Sequence, residues 1–186
     1  MLGRLYDRMF RPLVVVCLGL GIFSFAPSAA ASPFGQGVFG AQVLFGSVTS
    51  LAISLGSNPT VNLTPSGSNF TGSGSHTITV TSNDVVGYSL YIYGAGSTSM
   101  SGAGATIPAS GNSSAAPLAV NTWGYNTDGS GNYLGLTTTP TLFKTAIGPY
   151  ESGDNTTVTY GVLTDVTAPA GSYTAAVTYT AVAKTD

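Results

Sequence analysis

One histidine and a few carboxylates are the side chains with which this chain could do chemistry. A serine–histidine pair would use His76 with the nearby Ser73 or Ser75, but no Gly-x-Ser-x-Gly turn is present to expose a nucleophile. A single histidine and a single cysteine cannot supply the usual ligands of a zinc site. We therefore interpret His76 as an exposed residue at the start of a strand, and we predict no catalytic residue and no cofactor.

The acidic residues Glu151 and Asp154 lie three positions apart around Gly153. Two carboxylates at such a spacing are the type of pair that glycoside hydrolases use. A turn rich in Gly, Asp and Asn explains the same residues, and we favour that interpretation. A weak hydrolase that uses Glu151, Asp154 and surrounding tyrosines remains an alternative.

A loop with an oxygen-bearing side chain at every second position raises the question of calcium. Its members are Asn126, Asp128, Ser130 and Asn132. Calcium loops space their ligands in this way, but this loop lacks the additional carboxylates and the closing Glu. The composition therefore favours a hairpin turn, with the four residues as weak calcium candidates.

Tyrosines are the other residues suited to binding. Five of them fall at strand positions or in loops where they could face solvent: Tyr91, Tyr93, Tyr125, Tyr133 and Tyr150. Exposed tyrosines offer a large contact area at a small entropy cost, which suits recognition of proteins or glycans. Packing between neighbouring strands uses tyrosines at the same alternation, so both interpretations stay open.

The N-terminal region is typical of a secretory signal. Three arginines precede an apolar run over Leu13–Phe25, and small residues follow to Ala31. The run is short for a membrane span of about 20 residues. We predict a signal peptide over residues 1–31, cleaved after Ala31 or Ala30. An uncleaved N-terminal anchor is the alternative.

Beyond the predicted signal the chain carries very little charge. Lys144 and Lys184 stand against six carboxylates, which gives a net charge of −4. Such a chain is repelled by nucleic acid, and it would contact a membrane only through an uncleaved signal segment. The one cysteine, Cys17, lies inside the signal, so the exported part has no disulfide.

The remaining sequence alternates with a period of two, which predicts strands. The clearest runs are residues 76–82 and 88–93, which we predict to form an antiparallel hairpin, and a long final strand that includes residues 173–181. No segment here has helical periodicity. We predict an all-β, Ig-like antiparallel β-sandwich with Greek-key connections over residues 47–186. We predict that residues 32–46, which are rich in Gly and aromatics, form an arm or an edge strand.

Several strand-and-turn segments resemble those of a known group of proteins. They are Thr77–Asn83, Gly87–Leu90, Asn121–Tyr125, Pro169–Tyr173 and Val177–Thr180. Together they resemble small secreted envelope proteins of bacteria and, more distantly, WxL surface domains and the pilin-like spore coat U sandwiches. The resemblance implies a surface location and a sandwich fold, and the WxL relationship implies peptidoglycan binding.

These observations predict a secreted cell-surface protein with a structural or adhesive role and no catalytic activity. Its expected partners are a cell-envelope component, other surface proteins, or a host-surface protein or glycan, and it could form a homo-oligomer. One alternative is a self-assembling, pilin-like subunit that donates residues 33–46 as a strand to a neighbour. Another is a glycan-binding module.

Overall fold

The computed structural model describes residues 49–184, and the predicted signal peptide and arm lie outside this range. Within it the chain forms ten β-strands and no helix, so no helix in this range could cross a membrane. The strands are β1 (Ser50–Leu55), β2 (Thr64–Ser66), β3 (Asn69–Asn83), β4 (Gly87–Gly94), β5 (Met100–Gly102), β6 (Ala105–Ile107), β7 (Thr122–Asn126), β8 (Thr141–Ile147), β9 (Tyr150–Asp165) and β10 (Val177–Lys184). The prediction of an all-β fold is confirmed.

The strands form two main sheets, and every pair of strands is antiparallel. Sheet A has the order β1-β3-β9-β7, with β2 also paired to β3. Sheet B has the order β10-β4-β8, and β5 and β6 form a small separate hairpin. The long β3–β9 pair is the centre of sheet A and extends beyond the shorter strands of sheet B.

The core lies between the two sheets, as in a β-sandwich. In β3, Ile78 and Val80 are fully buried, while the threonines between them face the other side of the sheet. Leu90 and Ile92 on β4 belong to the opposite sheet and are buried in the same apolar cluster. This alternation is the one that the sequence predicted, because successive side chains of a strand point to opposite faces.

The predicted hairpin of residues 76–82 with residues 88–93 is wrong. β3 pairs with β1, β2 and β9, whereas β4 pairs with β10 and β8, so the two strands belong to different sheets. The connection between them includes Asp84 in the left-handed region, at φ 52°. The amide of Val86 then donates to the carbonyl of Lys184 in sheet B. The alternation within each strand was read correctly, but it carries no information about which strand is the partner.

β3 begins seven residues earlier than the alternation indicated, at Asn69 rather than at His76. Its first half contains Gly72 and Gly74, against which the backbone of residues 60–62 packs. A Cβ added at Gly74 would lie 2.5 Å from the carbonyl oxygen of Thr60. The short strand β2 follows this crossing segment and pairs with the beginning of β3.

A β-bulge in β8 turns a charged side chain toward the core. The register of β4 with β8 shifts between Leu90 and Tyr91, where Lys144 is opposite Leu90 and Leu142 is opposite Tyr91. Lys144 therefore points between the sheets, and Leu142 points to the outer face of sheet B. A bulge of this kind places two residues opposite one and redirects the side chains that follow.

Candidate functional site

Two of the five predicted binding tyrosines lie on the outer face of sheet B. Tyr91 is paired with Thr180 on β10 and lies opposite Leu142 on β8, while Tyr93 is paired with Thr178. Both rings are half-buried among these side chains. Leu142 is 51% exposed, so this face presents aromatic, aliphatic and hydroxyl groups to solvent.

The other three tyrosines are placed differently. Tyr125 is 2% exposed in the core, where burial raises the pKa of its phenol, so it offers no surface for a partner. Tyr133 is half-buried against Gly161 of β9, and its backbone bridges to Ala116. Tyr150 packs edge-on against Tyr88, with the ring centroids 6.0 Å apart. For these three, packing accounts for the ring positions.

The four calcium candidates form a loop that is closed by its own hydrogen bonds. The side-chain amide of the buried Asn126 donates to the carbonyls of Ser130 and Asn132, at 2.7 and 3.2 Å. The amide of Ser130 donates to the Asp128 carboxylate at 3.0 Å, a bond that lowers the pKa of Asp128. Side-chain oxygens of Asn126, Asp128 and Ser130 thus accept hydrogen bonds from backbone amides of the loop, as in Asx-type turns. Within residues 49–184 no cluster of three His, Cys, Asp or Glu side chains is placed to hold a metal.

His76 lies in the middle of β3, contrary to the expectation of an exposed strand start. Its side chain faces the inside of the sandwich, since it alternates with Ser73 and Ser75, which are exposed on the outer face. A serine–histidine pair is thereby ruled out for these serines, because the two residue types lie on opposite sides of the sheet. The sequence offered no signal for this, because Gly-Ser-Gly reads as a turn.

A short chain of polar side chains links the two sheets at His76. Its Nε2 lies 2.9 Å from the hydroxyl of Tyr179 on β10, and that hydroxyl is also hydrogen-bonded to the hydroxyl of Tyr160 on β9. Within the described residues Nδ1 of His76 is buried and has no partner. A buried, unsatisfied group of this kind costs about 1–3 kcal/mol.

Burial fixes the protonation states of this cluster at neutral pH. It lowers the pKa of His76 below 6.5, because a charged imidazolium would lose its hydration. Burial raises the pKa of Tyr160 to about 12, the net result after the opposing hydrogen bond to Tyr179. The pKa of Tyr179 is raised as well, first by burial and then by Tyr160. At neutral pH the imidazole and both phenols are therefore uncharged.

An ion pair crosses between the sheets at the other side of the core. Nζ of Lys144 lies 2.8 Å from Oδ1 of Asp154 and 2.8 Å from the hydroxyl of Thr156. The hydroxyl of Tyr88 donates to the second carboxylate oxygen of Asp154 at 2.6 Å. Burial alone would raise the pKa of Asp154, but the bonds from Lys144 and Tyr88 outweigh it and the pKa is lowered.

This ion pair bears on the hydrolase alternative. Asp154 has both carboxylate oxygens engaged by groups of the protein, so its charge serves to join sheet B to sheet A. Glu151, its proposed companion, is exposed on the strand. Tyr88 donates its hydroxyl to Asp154. Its pKa is raised, first because the phenol is buried and then because the Asp154 carboxylate lies beside it.

Two adjoining clefts open where sheet B ends and β3 and β9 continue. The smaller has a volume of about 430 Å³ and is bordered by the His76–Tyr179 pair and by Trp123. The larger, of about 910 Å³, extends toward Asp165 and shares Val61 and other residues with the first. Neither cleft could be predicted from the sequence, because their walls come from segments that are distant along the chain.

No protein-family model matches the chain, and neither a curated protein nor a solved structure shows significant similarity to it. The relationship to bacterial envelope proteins, WxL domains and spore coat U sandwiches therefore stays a prediction.

Proposed function

We propose that this chain is an exported cell-surface protein whose Ig-like, Greek-key sandwich has a structural or adhesive role without catalysis. The observation that carries the proposal is the outer face of sheet B, where Tyr91 and Tyr93 lie among threonines and exposed aliphatic groups, and where Lys184 at the end of β10 is the one charged side chain that the described strands contribute. Aromatic and hydroxyl groups on a rigid sheet give contact area with little loss of entropy on binding.

The use of the charged groups supports a structural role. Asp154 and Lys144 join the two sheets, and Asp165 accepts bonds from Asn121 and from the amide and hydroxyl of Thr167. These carboxylates hold strands and turns in place. The predicted signal peptide over residues 1–31 supports export, with attachment to the envelope either noncovalent or through an uncleaved signal.

The experiment combines location with binding. Fractionation should find the protein at the cell surface or in the medium, and the purified protein should bind isolated cell envelopes. The Tyr91→Ala/Tyr93→Ala variant should lose most of this binding. A matched variant on the outer face of sheet A, Thr77→Ala/Thr79→Ala, should retain it. Purely cytoplasmic protein, or equal binding by both variants, would remove the proposal.

A second candidate function, pilin-like self-assembly, is favoured by an open edge. Within the described residues β10 pairs on one side only, with β4, so its other edge has free backbone groups. Beneath that edge the inward-facing side chains of β1 are incompletely covered: Ile53 is 38% exposed and Leu55 is 53% exposed. A strand from a neighbouring copy, for which residues 33–46 are our candidate, could pair with β10 and cover them.

Two variants distinguish the assembly hypothesis from the adhesion hypothesis. Deletion of residues 33–46 should convert assemblies into monomers if the arm is the donor, as measured by light scattering after size-exclusion chromatography. Replacement of Leu55 by Lys should weaken assembly from the acceptor side. Unchanged assemblies in both variants would exclude strand donation and leave the adhesive role intact.

A further inference from the structure

The outer face of sheet B places a row of hydroxyl groups beside two aromatic rings. Tyr91 and Tyr93 are two positions apart on the central strand β4, so their Cα atoms are about 6.6–6.8 Å apart on one face. Thr180 is directly opposite Tyr91 on β10, and Thr178 is opposite Tyr93. Opposite residues have Cβ atoms about 4.5–5.5 Å apart, so each ring has a hydroxyl beside it.

This face is accessible and has an extended shape. Val182, which follows Thr180 on the same side of β10, is 48% exposed, and Leu142 on β8 is 51% exposed. Thr180 is exposed, and the two tyrosine rings keep part of their surface in solvent. A partner can therefore lie along the strands and reach rings and hydroxyls together without any opening of the core.

The charges of the protein are almost absent from this face. Of the strands that the structure describes in sheet B, only β10 contributes a charged side chain here, that of Lys184, because Lys144 points between the sheets. Lys184 is four residues beyond Thr180, roughly 13 Å along the strand. Anionic lipid surfaces are bound by clusters of basic residues, which this face lacks. Its charge therefore matches a neutral partner.

The hydroxyl groups distinguish between the possible neutral partners. A sugar ring has C–H groups on its two sides and hydroxyls around its rim, and the C–H groups are attracted to the electron-rich face of an aromatic ring. Threonine hydroxyls both donate and accept, as sugar hydroxyls do, so the two can pair in either direction. A lipid tail or an apolar protein surface would cover the threonines without giving them partners, at a cost of about 1–3 kcal/mol for each buried hydroxyl.

We infer that the outer face of sheet B binds a neutral polysaccharide of the cell envelope. Its sugar rings lie against Tyr91 and Tyr93, and its hydroxyls bond to Thr178 and Thr180. This inference rests on the proposed adhesive function and names the class of ligand for that face. Peptidoglycan, whose peptide stems carry charge, is not the ligand that the face selects.

Selective treatment of isolated envelopes tests the class of ligand. Binding of the purified protein should survive digestion of the envelopes with proteinase K and extraction with chloroform and methanol. It should be lost after treatment with trifluoromethanesulfonic acid, which cleaves glycosidic bonds, and it should not change with salt because no charges pair. Purified peptidoglycan should bind at least about tenfold more weakly. The opposite result in any of these treatments would overturn the inference.

Matched substitutions test the role of the hydroxyls. Thr178→Val/Thr180→Val removes two hydroxyls and keeps the β-branched shape, and it should weaken binding at least about tenfold because two hydrogen bonds are lost. An apolar partner would bind this variant equally well or better, and such a result would overturn the inference. Thr157→Val/Thr159→Val makes the same change on the outer face of sheet A and should bind as the unaltered protein does.

The adhesive proposal and the choice of a polysaccharide can fail separately. If Tyr91→Ala/Tyr93→Ala still binds untreated envelopes as tightly as the unaltered protein, both fail. If that variant loses binding but proteinase K abolishes binding of the unaltered protein, the face is adhesive and its ligand is a protein, which overturns the inference alone.

Discussion

The ion pair between Lys144 and Asp154 allows a sharp test of how the two sheets are held together. We expect both Lys144→Met and Asp154→Asn to lower the free energy of unfolding, because each leaves the partner's charge between the sheets without its counter-ion. Breaking a fully buried pair costs about 3–5 kcal/mol, and exposed pairs contribute about 0–1 kcal/mol. These side chains are 24% and 18% exposed, so each single change should cost about 2 kcal/mol.

Removing both charges should cost less than the sum of the two single changes, because no unpaired charge remains. The coupling expected from the double-mutant cycle is about 1–2 kcal/mol. Urea unfolding followed by tyrosine and tryptophan fluorescence measures it, and a loss of 2 kcal/mol moves the midpoint by about 1 M at an m-value of about 2 kcal/mol/M. Asp84→Asn, the same charge change at an exposed turn, is the control and should be nearly neutral.

The pH dependence gives the cycle a second readout. The pKa of Asp154 is lowered when folded, so its stabilisation is present above its unfolded value of 3.8 and is lost as the pH falls through the still lower folded value. In Lys144→Met the main opposing interaction is gone, and burial should raise the pKa of Asp154. The penalty of that variant should then shrink as the pH falls toward 4. A coupling near zero and a penalty that does not change with pH would refute this account of the ion pair.

Three further results are expected from the same unfolding assay. Since burial lowers the pKa of His76, the free energy of unfolding should fall as the pH drops below 6.5. The His76→Gln variant should lose this pH dependence, and an unchanged pH profile in the variant would contradict the assignment to His76. Gly74→Ala should cost about 1–3 kcal/mol because its Cβ meets the backbone of the crossing segment, whereas Gly111→Ala, in open space, should be tolerated; equal effects would count against the close approach. Leu90→Ala should cost about 2–5 kcal/mol, and the half-exposed Leu142→Ala much less; similar losses would show that the core is misassigned.

The sequence carried enough information to predict the type of secondary structure and the direction of the core side chains. Ile78, Val80, Leu90 and Ile92 alternate with polar residues, and this pattern alone identified the buried face. It did not identify strand partners, because a period of two is the same in a hairpin and in two strands of different sheets. The inward direction of Lys144 depends on a bulge, which shifts the alternation and cannot be recognised from the composition.

The cleft and the His76 cluster were beyond sequence-based prediction for a related reason. Gly72 and Gly74 are typical of a turn, yet in β3 they leave space for another segment to cross the strand, and His76 is thereby within a strand rather than at its start. His76, Tyr160 and Tyr179 lie on three different strands and are at least 19 residues apart from one another in the sequence. Their meeting depends on how the sheets pack, which local patterns do not specify.

The inward position of Lys144 makes it a natural reporter of conformational opening. Among the residues that the structure describes, Lys144 and Lys184 are the only primary amines on side chains, and Lys144 holds its amine in bonds to Asp154 and Thr156. An amine-acylating reagent should therefore modify Lys184 faster than Lys144, whose amine must first leave its bonds to Asp154 and Thr156. The rate of acylation at Lys144, followed by peptide mass spectrometry, would then report how often this ion pair opens, with no engineered label.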